Sequence, residues 1–292
     1  MTAIILHSQL LADQKNQEIK VQVEARALAG LSRVCLVVLL VGDDPASHVY
    51  VLAKRNACRR VGFDVQLMNL PVSVTLQELL NILHNLNKDS NVHAILIQRP
   101  LPKHLQTQAV VEAILPHKDV DGFHPYNLGR LTQGKPLLRP CTPYGIMQLL
   151  EYYKISVHSQ HAVIIGASTL VGRPMALELL MANATVTVCH SSTHSLEKHV
   201  RAADLLIVAT GTKNVLDTNW LNSRQTVIDV GIHRLPDGSL RGDVDFNSAV
   251  DKVAAITPVP GGVGPMTVCT LLHNTLLAAT GDMSYPDLIQ AT

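Results

Sequence analysis

The chain has no paired cysteines. Its five (Cys35, Cys58, Cys141, Cys189 and Cys269) are scattered, with no CxxC spacing and one left over if disulfides formed. That excludes a disulfide framework, suggests no metal site, and fits reduced thiols in a cytosolic protein. It also lacks any long run of lysine and arginine. A formal net charge of +1 removes the electrostatic footprint of a nucleic-acid binder and leaves small molecules as the expected partners. The longest apolar run, residues 34–41, falls far short of the roughly 20 residues that span a bilayer, so no membrane partner is expected. Residues 1–11 lack a basic segment followed by a signal-length apolar core, and a cytoplasmic location is the expectation. What the chain has in quantity is core: 47% hydrophobic residues over 292 positions, enough for one large domain or two ordinary ones.

Apolar runs at 34–41, 65–70, 93–97, 162–165, 185–189, 205–209, 226–230 and 253–256 alternate with amphipathic segments at 10–29, 46–61, 76–87, 143–153, 174–182 and 268–279. That alternation is the pattern of a mostly parallel α/β protein. The runs fall into two clusters, separated by residues 118–142, which are rich in Gly, Pro, Asp and Asn. The expectation is a substrate domain at 1–139, joined by a C-terminal helix at 268–292, and a Rossmann-like nucleotide domain at 140–267, with a ligand cleft between them.

Residues 257–267, Thr-Pro-Val-Pro-Gly-Gly-Val-Gly-Pro-Met-Thr, read as a shaped loop between a short strand and a helix beginning at 268. Such a turn lines the ligand crevice of an open α/β sheet, though a rigid turn with no ligand fits the same composition. The stretch Val163 to Pro174 reads as strand, glycine turn and helix start. It suits a dinucleotide pyrophosphate held on helix N–H groups. Ser168 occupies the second glycine position of G-x-G-x-x-G, so the motif alone fits a packed turn equally well. After Cys189 come His190-Ser191-Ser192-Thr193, with no acid to take a ribose 2′-hydroxyl, which favours NADP over NAD.

In the first cluster Asp44-Pro45 has the form of an N-cap and first helical residue, followed by Tyr50 and Lys54 at i, i+4 on one face. A lysine whose stem borders an apolar stripe can exchange protons near neutral pH, or can merely snorkel to water. Gln98 and Arg99 stand at the carboxyl end of the 93–97 run, where the amide could fix a substrate or satisfy its own loop. In Lys118-Asp119-Val120-Asp121-Gly122, Asp121 could accept bonds from an amino-heterocycle or could close an Asp-Gly turn in water.

Taken together, Tyr50-x-x-x-Lys54, Gln98-x-Pro100-Leu101-Pro102, Lys118-Asp119-Val120-Asp121-Gly122, Pro140-Cys141-Thr142-Pro143, Gly166-x-Ser168-x-x-Val171-Gly172-x-Pro174 and the 258–267 segment resemble the bifunctional methylenetetrahydrofolate dehydrogenase/cyclohydrolase family. The resemblance covers nearly the whole chain, with the motifs in order. It implies a homodimer of two-domain α/β subunits that oxidises 5,10-methylenetetrahydrofolate with NADP+ and hydrolyses the methenyl product to 10-formyltetrahydrofolate. By the same resemblance Lys54, Gln98 and Tyr50 are catalytic, Tyr50, Asp121, Gly264, Pro265 and Thr267 meet folate, and Gly166, Ala167, Ser168, Gly172, Ser191 and Ile232 meet the cofactor. Two positions depart from the family pattern. Ala167 stands where many members carry an arginine facing the 2′-phosphate, leaving Arg173 or Ser191 to compensate, and Arg99 stands where leucine is usual. The alternatives are a single-activity NAD-linked dehydrogenase, suggested by Ala167 and opposed by intact Lys54 and Gln98, and a folate- or nucleotide-binding protein without turnover, opposed by intact Lys54 and the intact 258–267 segment.

Overall fold

A computed structural model describes residues 3–281. The described residues divide into two compact α/β units, one of residues 14–141 with 268–281 and one of residues 3–13 with 142–267. Residues 3–13 therefore leave the domain expected for them. Strand Ile4–Ile5 pairs in parallel with Ala255–Ile256 and extends the large sheet, a contact that two apolar residues cannot announce by periodicity. The part of the expected C-terminal helix beyond residue 281 lies outside the described residues.

In the first unit a parallel sheet orders Asp64–Leu70, Cys35–Val41 and Ala94–Ile97, with Cys35–Val41 in the middle. All seven residues of that central strand are buried, which is why its sequence is unbroken apolar. Alternate side chains feed two cores. Leu36, Val38 and Leu40 meet Ile19, Ala57 and Leu272, while Val37, Leu39 and Val41 meet Leu79, Leu83 and Leu105. Helix Pro45–Arg60 starts as its sequence requires, since Asp44 Oδ2 accepts from Ser47 N at 2.8 Å and from Ser47 Oγ at 2.7 Å. The strand order makes a switch point: the chain passes from the central strand to one neighbour, then returns to pair on its other side, so the carboxyl ends of Cys35–Val41 and Ala94–Ile97 flank the place where α/β sheets bind ligands.

The second unit carries a six-stranded parallel sheet in the order Ile4–Ile5, Ala255–Ile256, Thr226–Asp229, Leu205–Val208, His161–Ile165 and Thr185–Cys189. Its switch point lies between His161–Ile165 and Leu205–Val208, because the chain leaves the first of these toward one edge and returns on its other side. Among the described residues no helix is long and apolar enough to cross a membrane.

One boundary differs from the sequence expectation in a way that bears on function. The last helix spans Val263–Thr280, so Gly264, Pro265 and Thr267 belong to its first turns and not to the preceding loop. A proline is tolerated there because the first N–H groups of a helix have no intrahelical acceptor to lose. Thr267 Oγ1 lies 3.1 Å from Thr142 Oγ1 and reaches back to Val263 O at 3.5 Å.

Candidate active site

The first group of residues assembles at the switch point of the small sheet. Helix Pro45–Arg60 follows the central strand and buries Val51, Ala57, Cys58 and Val61 in the core. On it Tyr50 and Lys54 stand one turn apart. Strand Ala94–Ile97 ends at Gln98, whose backbone N–H donates to Leu39 O at 2.9 Å. Lys54 Nζ donates to Gln98 Oε1 at 3.1 Å, while Gln98 Nε2 donates to Arg99 O at 2.7 Å. Gln98 is only 8% exposed, so its amide is fixed at both ends. Of the two roles open to Gln98 from the sequence, the structure shows the bond to its own loop, and adds a second partner in Lys54. Lys54 is half-buried and Tyr50 is 43% exposed, with its ring open to a planar partner.

The segment 118–122 separates structural residues from an available one. Lys118 Nζ donates to the carbonyls of Leu86, Asn87 and Asp89 at 3.0, 2.9 and 2.8 Å, closing the C-terminal end of helix Leu76–Lys88. Asp119 Oδ2 accepts from His124 N at 2.7 Å and Asn127 Nδ2 at 3.1 Å. Both residues are thereby occupied. Burial pushes the Asp121 carboxyl up, and the charges of Lys54 and Arg99, together with the Cys141 thiol, pull it back down. The charges of Lys54 and Arg99 thus both reach Asp121. The Arg99 guanidinium sits 6.0 Å from the Phe123 ring centroid, and both line a recess with Asp119 and Asp121. Burial raises the Cys141 thiol far up and the Cys58 thiol to about 12, so neither is a nucleophile at neutral pH.

Sequence reasoning missed the groups that hold this segment. Asn274 Nδ2 donates to Val120 O at 2.9 Å and to Arg139 O at 2.8 Å, and Cys141 Sγ donates to Val120 O at 3.2 Å. An asparagine inside an apolar helix is the one available signal.

The second group lies at the switch point of the large sheet. Gly166 follows strand His161–Ile165 with φ +121°, and a Cβ there would come 2.2 Å from Ala209 O on the neighbouring strand end. A Cβ on Gly172 would lie 1.9 Å from Gly166 O. At both positions backbone packs on backbone too closely for any side chain, so only glycine can close the turn between strand His161–Ile165 and helix Gly172–Met181. Ser168 Oγ accepts from Val171 N at 3.1 Å and Gly172 N at 3.4 Å, holding the start of helix Gly172–Met181. Gly166 N donates to Cys189 O at 2.9 Å, so the 167 and 191 loops leave adjacent strand ends. Ser191 is exposed, as is Ile232, at 44%.

Residues 6–121 match the tetrahydrofolate dehydrogenase/cyclohydrolase catalytic domain, and residues 140–283 match the NAD(P)-binding domain of the same family. The bifunctional protein FolD of Legionella pneumophila (strain Corby) is 53% identical over 279 residues, covering 96% of this chain and 98% of its own. The chain belongs to the tetrahydrofolate dehydrogenase/cyclohydrolase family. The structure of the FolD methylenetetrahydrofolate dehydrogenase/cyclohydrolase of Campylobacter jejuni is 45% identical, with a TM-score of 0.93 over 96% of this chain and 99% of that one. The Trypanosoma brucei methylenetetrahydrofolate dehydrogenase-cyclohydrolase, solved with NADP cofactor and an inhibitor, is 34% identical with a TM-score of 0.92, covering 96% and 98%.

Within the tetrahydrofolate dehydrogenase/cyclohydrolase NAD(P)-binding domain, two buried carboxylates that the sequence did not single out organise the carboxyl end of the large sheet. Asp229 accepts from the backbone N–H groups of Gly231, Asp243 and Val244 at 3.0, 2.9 and 2.9 Å. Asp243 accepts from Thr210 N, Thr210 Oγ1 and Gly211 N at 2.7, 2.9 and 2.9 Å, and lies 2.7 Å from His233 Nε2. Burial pushes the Asp229 carboxyl up to about 6 despite its three donors. An acid whose folded pKa lies above its unfolded value holds its proton more tightly when folded. Its contribution to stability is therefore lost as pH rises from about 4 to about 6, by roughly 2–3 kcal/mol. Asp229→Asn is expected to flatten that part of the stability profile, and urea unfolding between pH 4 and 7 measures it. An unchanged slope in the variant would assign the pH dependence elsewhere.

Proposed function

We infer that the protein oxidises 5,10-methylenetetrahydrofolate to the 5,10-methenyl cation with NADP+ and hydrolyses that cation to 10-formyltetrahydrofolate. The observation that carries the reading is the Lys54–Gln98 hydrogen bond at 3.1 Å, with Tyr50 one turn away and the Lys54 charge felt at Asp121. The 166–172 strand-to-helix turn at the switch point of the large sheet fits a bound dinucleotide, with Ala167, Ser168, Ser191 and Ile232 read as meeting it. Bound NADP+ supplies the hydride acceptor. Hydride transfer asks the protein mainly for alignment of two flat rings, whereas hydrolysis asks for proton traffic.

Lys54 provides that traffic. The Lys54 amine takes a proton from the water that attacks the methenyl carbon, giving a neutral carbinol; the ammonium returns that proton to N5 as the C–N5 bond breaks, the carbinol hydroxyl loses its proton to solvent to become the formyl group, and Gln98 Oε1 holds Nζ in place throughout. The exposed Tyr50 ring stacks on the aromatic part of folate, and Asp121 accepts from the amino edge of the pterin. Gly264, Pro265 and Thr267, at the start of the last helix, are read as residues that meet folate. In this reading the unit of residues 14–141 and 268–281 binds folate, the other unit binds the cofactor, and the working form is a cytoplasmic homodimer. A single-activity dehydrogenase or a binding protein without turnover would have no use for an intact Lys54–Gln98 pair.

The purified protein with methylenetetrahydrofolate and NADP+ is expected to show methenyl absorbance rising and then decaying. Decay no faster than in buffer would overturn the hydrolase half, and no rise with either NADP+ or NAD+ would overturn the whole. Asp121→Ala is expected to weaken folate binding by about 1.5–3 kcal/mol, the worth of hydrogen bonds to a charged group, with NADP+ binding unchanged. Titration calorimetry with each ligand checks this, and equal folate affinity in the two proteins would return Asp121 to an ordinary turn residue.

A further inference from the structure

The cofactor loop has no charged side chain at position 167, but a charge reaches it from the helix that follows. Helix Gly172–Met181 begins directly beneath the loop, and Arg173 on its first turn folds back over it: Nε donates to Ala167 O at 3.1 Å. Its backbone is fixed too, by a bond from Arg173 N to Ser168 O at 3.0 Å. The side chain is exposed, and among the described residues no carboxylate pairs with it. Its two terminal nitrogens therefore remain as free, permanently charged donors, held above residue 167 by the Nε tether.

The neighbouring loop offers no negative charge to oppose it. Position 167 comes two residues after Ile165, and Ser191 two residues after Cys189, its register partner in the adjacent strand. The end of that second strand is where a Rossmann-type domain meets the adenosine ribose: an acid there takes a 2′-hydroxyl, and an arginine nearby takes a 2′-phosphate. Here the 190–193 loop carries no acid. Thr193 Oγ1 is spent on His190 N at 2.9 Å and His190 Nδ1 on Ser192 N at 3.2 Å, whereas the Ser191 side chain is exposed to solvent.

We propose that Arg173, tethered to the Ala167 carbonyl, is the 2′-phosphate-recognising residue of this protein, replacing from the helix the arginine that position 167 lacks. The inference rests on the cofactor reading above and adds the group that makes the site select NADP over NAD.

The test uses two ligands without nicotinamide, 2′-phospho-ADP-ribose and ADP-ribose, titrated into the full-length protein by calorimetry. Arg173→Gln keeps the stem and removes the charge. It is expected to weaken 2′-phospho-ADP-ribose by about 10- to 100-fold, as loss of a charge-assisted bond does, and to leave ADP-ribose within about twofold. Adding Ala167→Arg to Arg173→Gln is expected to restore much of the lost affinity, while Ala167→Arg alone gains little because the site is already charged. Equal losses for both ligands would place Arg173 at the pyrophosphate or in the fold, and no loss for either would remove it from the site; each overturns the proposal. Failure of the wild-type protein to bind either ligand would instead overturn the cofactor reading itself, and the proposal with it.

Discussion

Lys54→Met is expected to slow methenyl hydrolysis by about 10²- to 10⁴-fold, the usual contribution of a positioned acid–base group, while NADP+ affinity stays unchanged. Methionine matches the length and apolar character of the lysine stem, which lies on a helix face bordering Ala57 and Val61 in the core. It cannot move a proton, and it leaves Gln98 Oε1 without the donor now 3.1 Å away. Lys54→Arg separates proton transfer from charge: arginine keeps a cation and a donor for Gln98 but does not deprotonate near neutral pH, so it should fail almost as badly. The dehydrogenase half should suffer less, because alignment of two rings does not need the amine. The measurement is the decay of methenyl absorbance for each variant beside a calorimetric titration of NADP+. Hydrolysis at the wild-type rate in the methionine variant would remove Lys54 from the chemistry.

Much of this site is legible in the sequence because its signals are local. Asp44 before Pro45 marks a helix start, and i, i+4 spacing then puts Tyr50 and Lys54 on one face whatever the rest of the chain does. The run of apolar residues at 34–41 declares a strand buried on both sides, and the fold supplies that environment by pairing it with two neighbours. Gln98 is legible as a residue at a strand end, but its partner is not. Lys54 is 44 positions away, and only the crossover order of the sheet brings the two together. The same holds for Asn274, whose partners Val120 and Arg139 lie 154 and 135 positions upstream, and for Asp243, which bonds across 33 positions to Thr210. A polar residue serving a distant backbone leaves no period in the sequence. The helix start at Val263 is hidden for a different reason: its glycine and proline have the composition of a loop, although the first turn of a helix needs none of the N–H groups that proline lacks.

Asp243→Ala is expected to cost the protein about 3–5 kcal/mol, a large part of the roughly 5–15 kcal/mol that holds a typical domain folded. Asp243 is fully buried, and removing its carboxylate strands two backbone N–H groups, a hydroxyl and the His233 ring away from water. Asp243→Asn is the more informative variant. Its amide oxygen can still serve one set of donors, but its NH2 must then face the other, so a smaller loss of about 1–3 kcal/mol is expected. The functional consequence follows from position. Thr210 and Gly211 follow strand Leu205–Val208, beside the Ala209 carbonyl that presses on Gly166, and Asp229 holds Gly231 next to Ile232. Loosening these turns should weaken NADP+ binding, while hydrolysis of supplied methenyltetrahydrofolate, which the proposed function assigns to Lys54 and Gln98, should persist under conditions where the variant is folded. Urea unfolding and NADP+ titration of the asparagine variant measure both effects. An NADP+ affinity equal to wild type despite a lowered unfolding midpoint would confine Asp243 to stability, and an unmoved midpoint would show that the four donors find other acceptors.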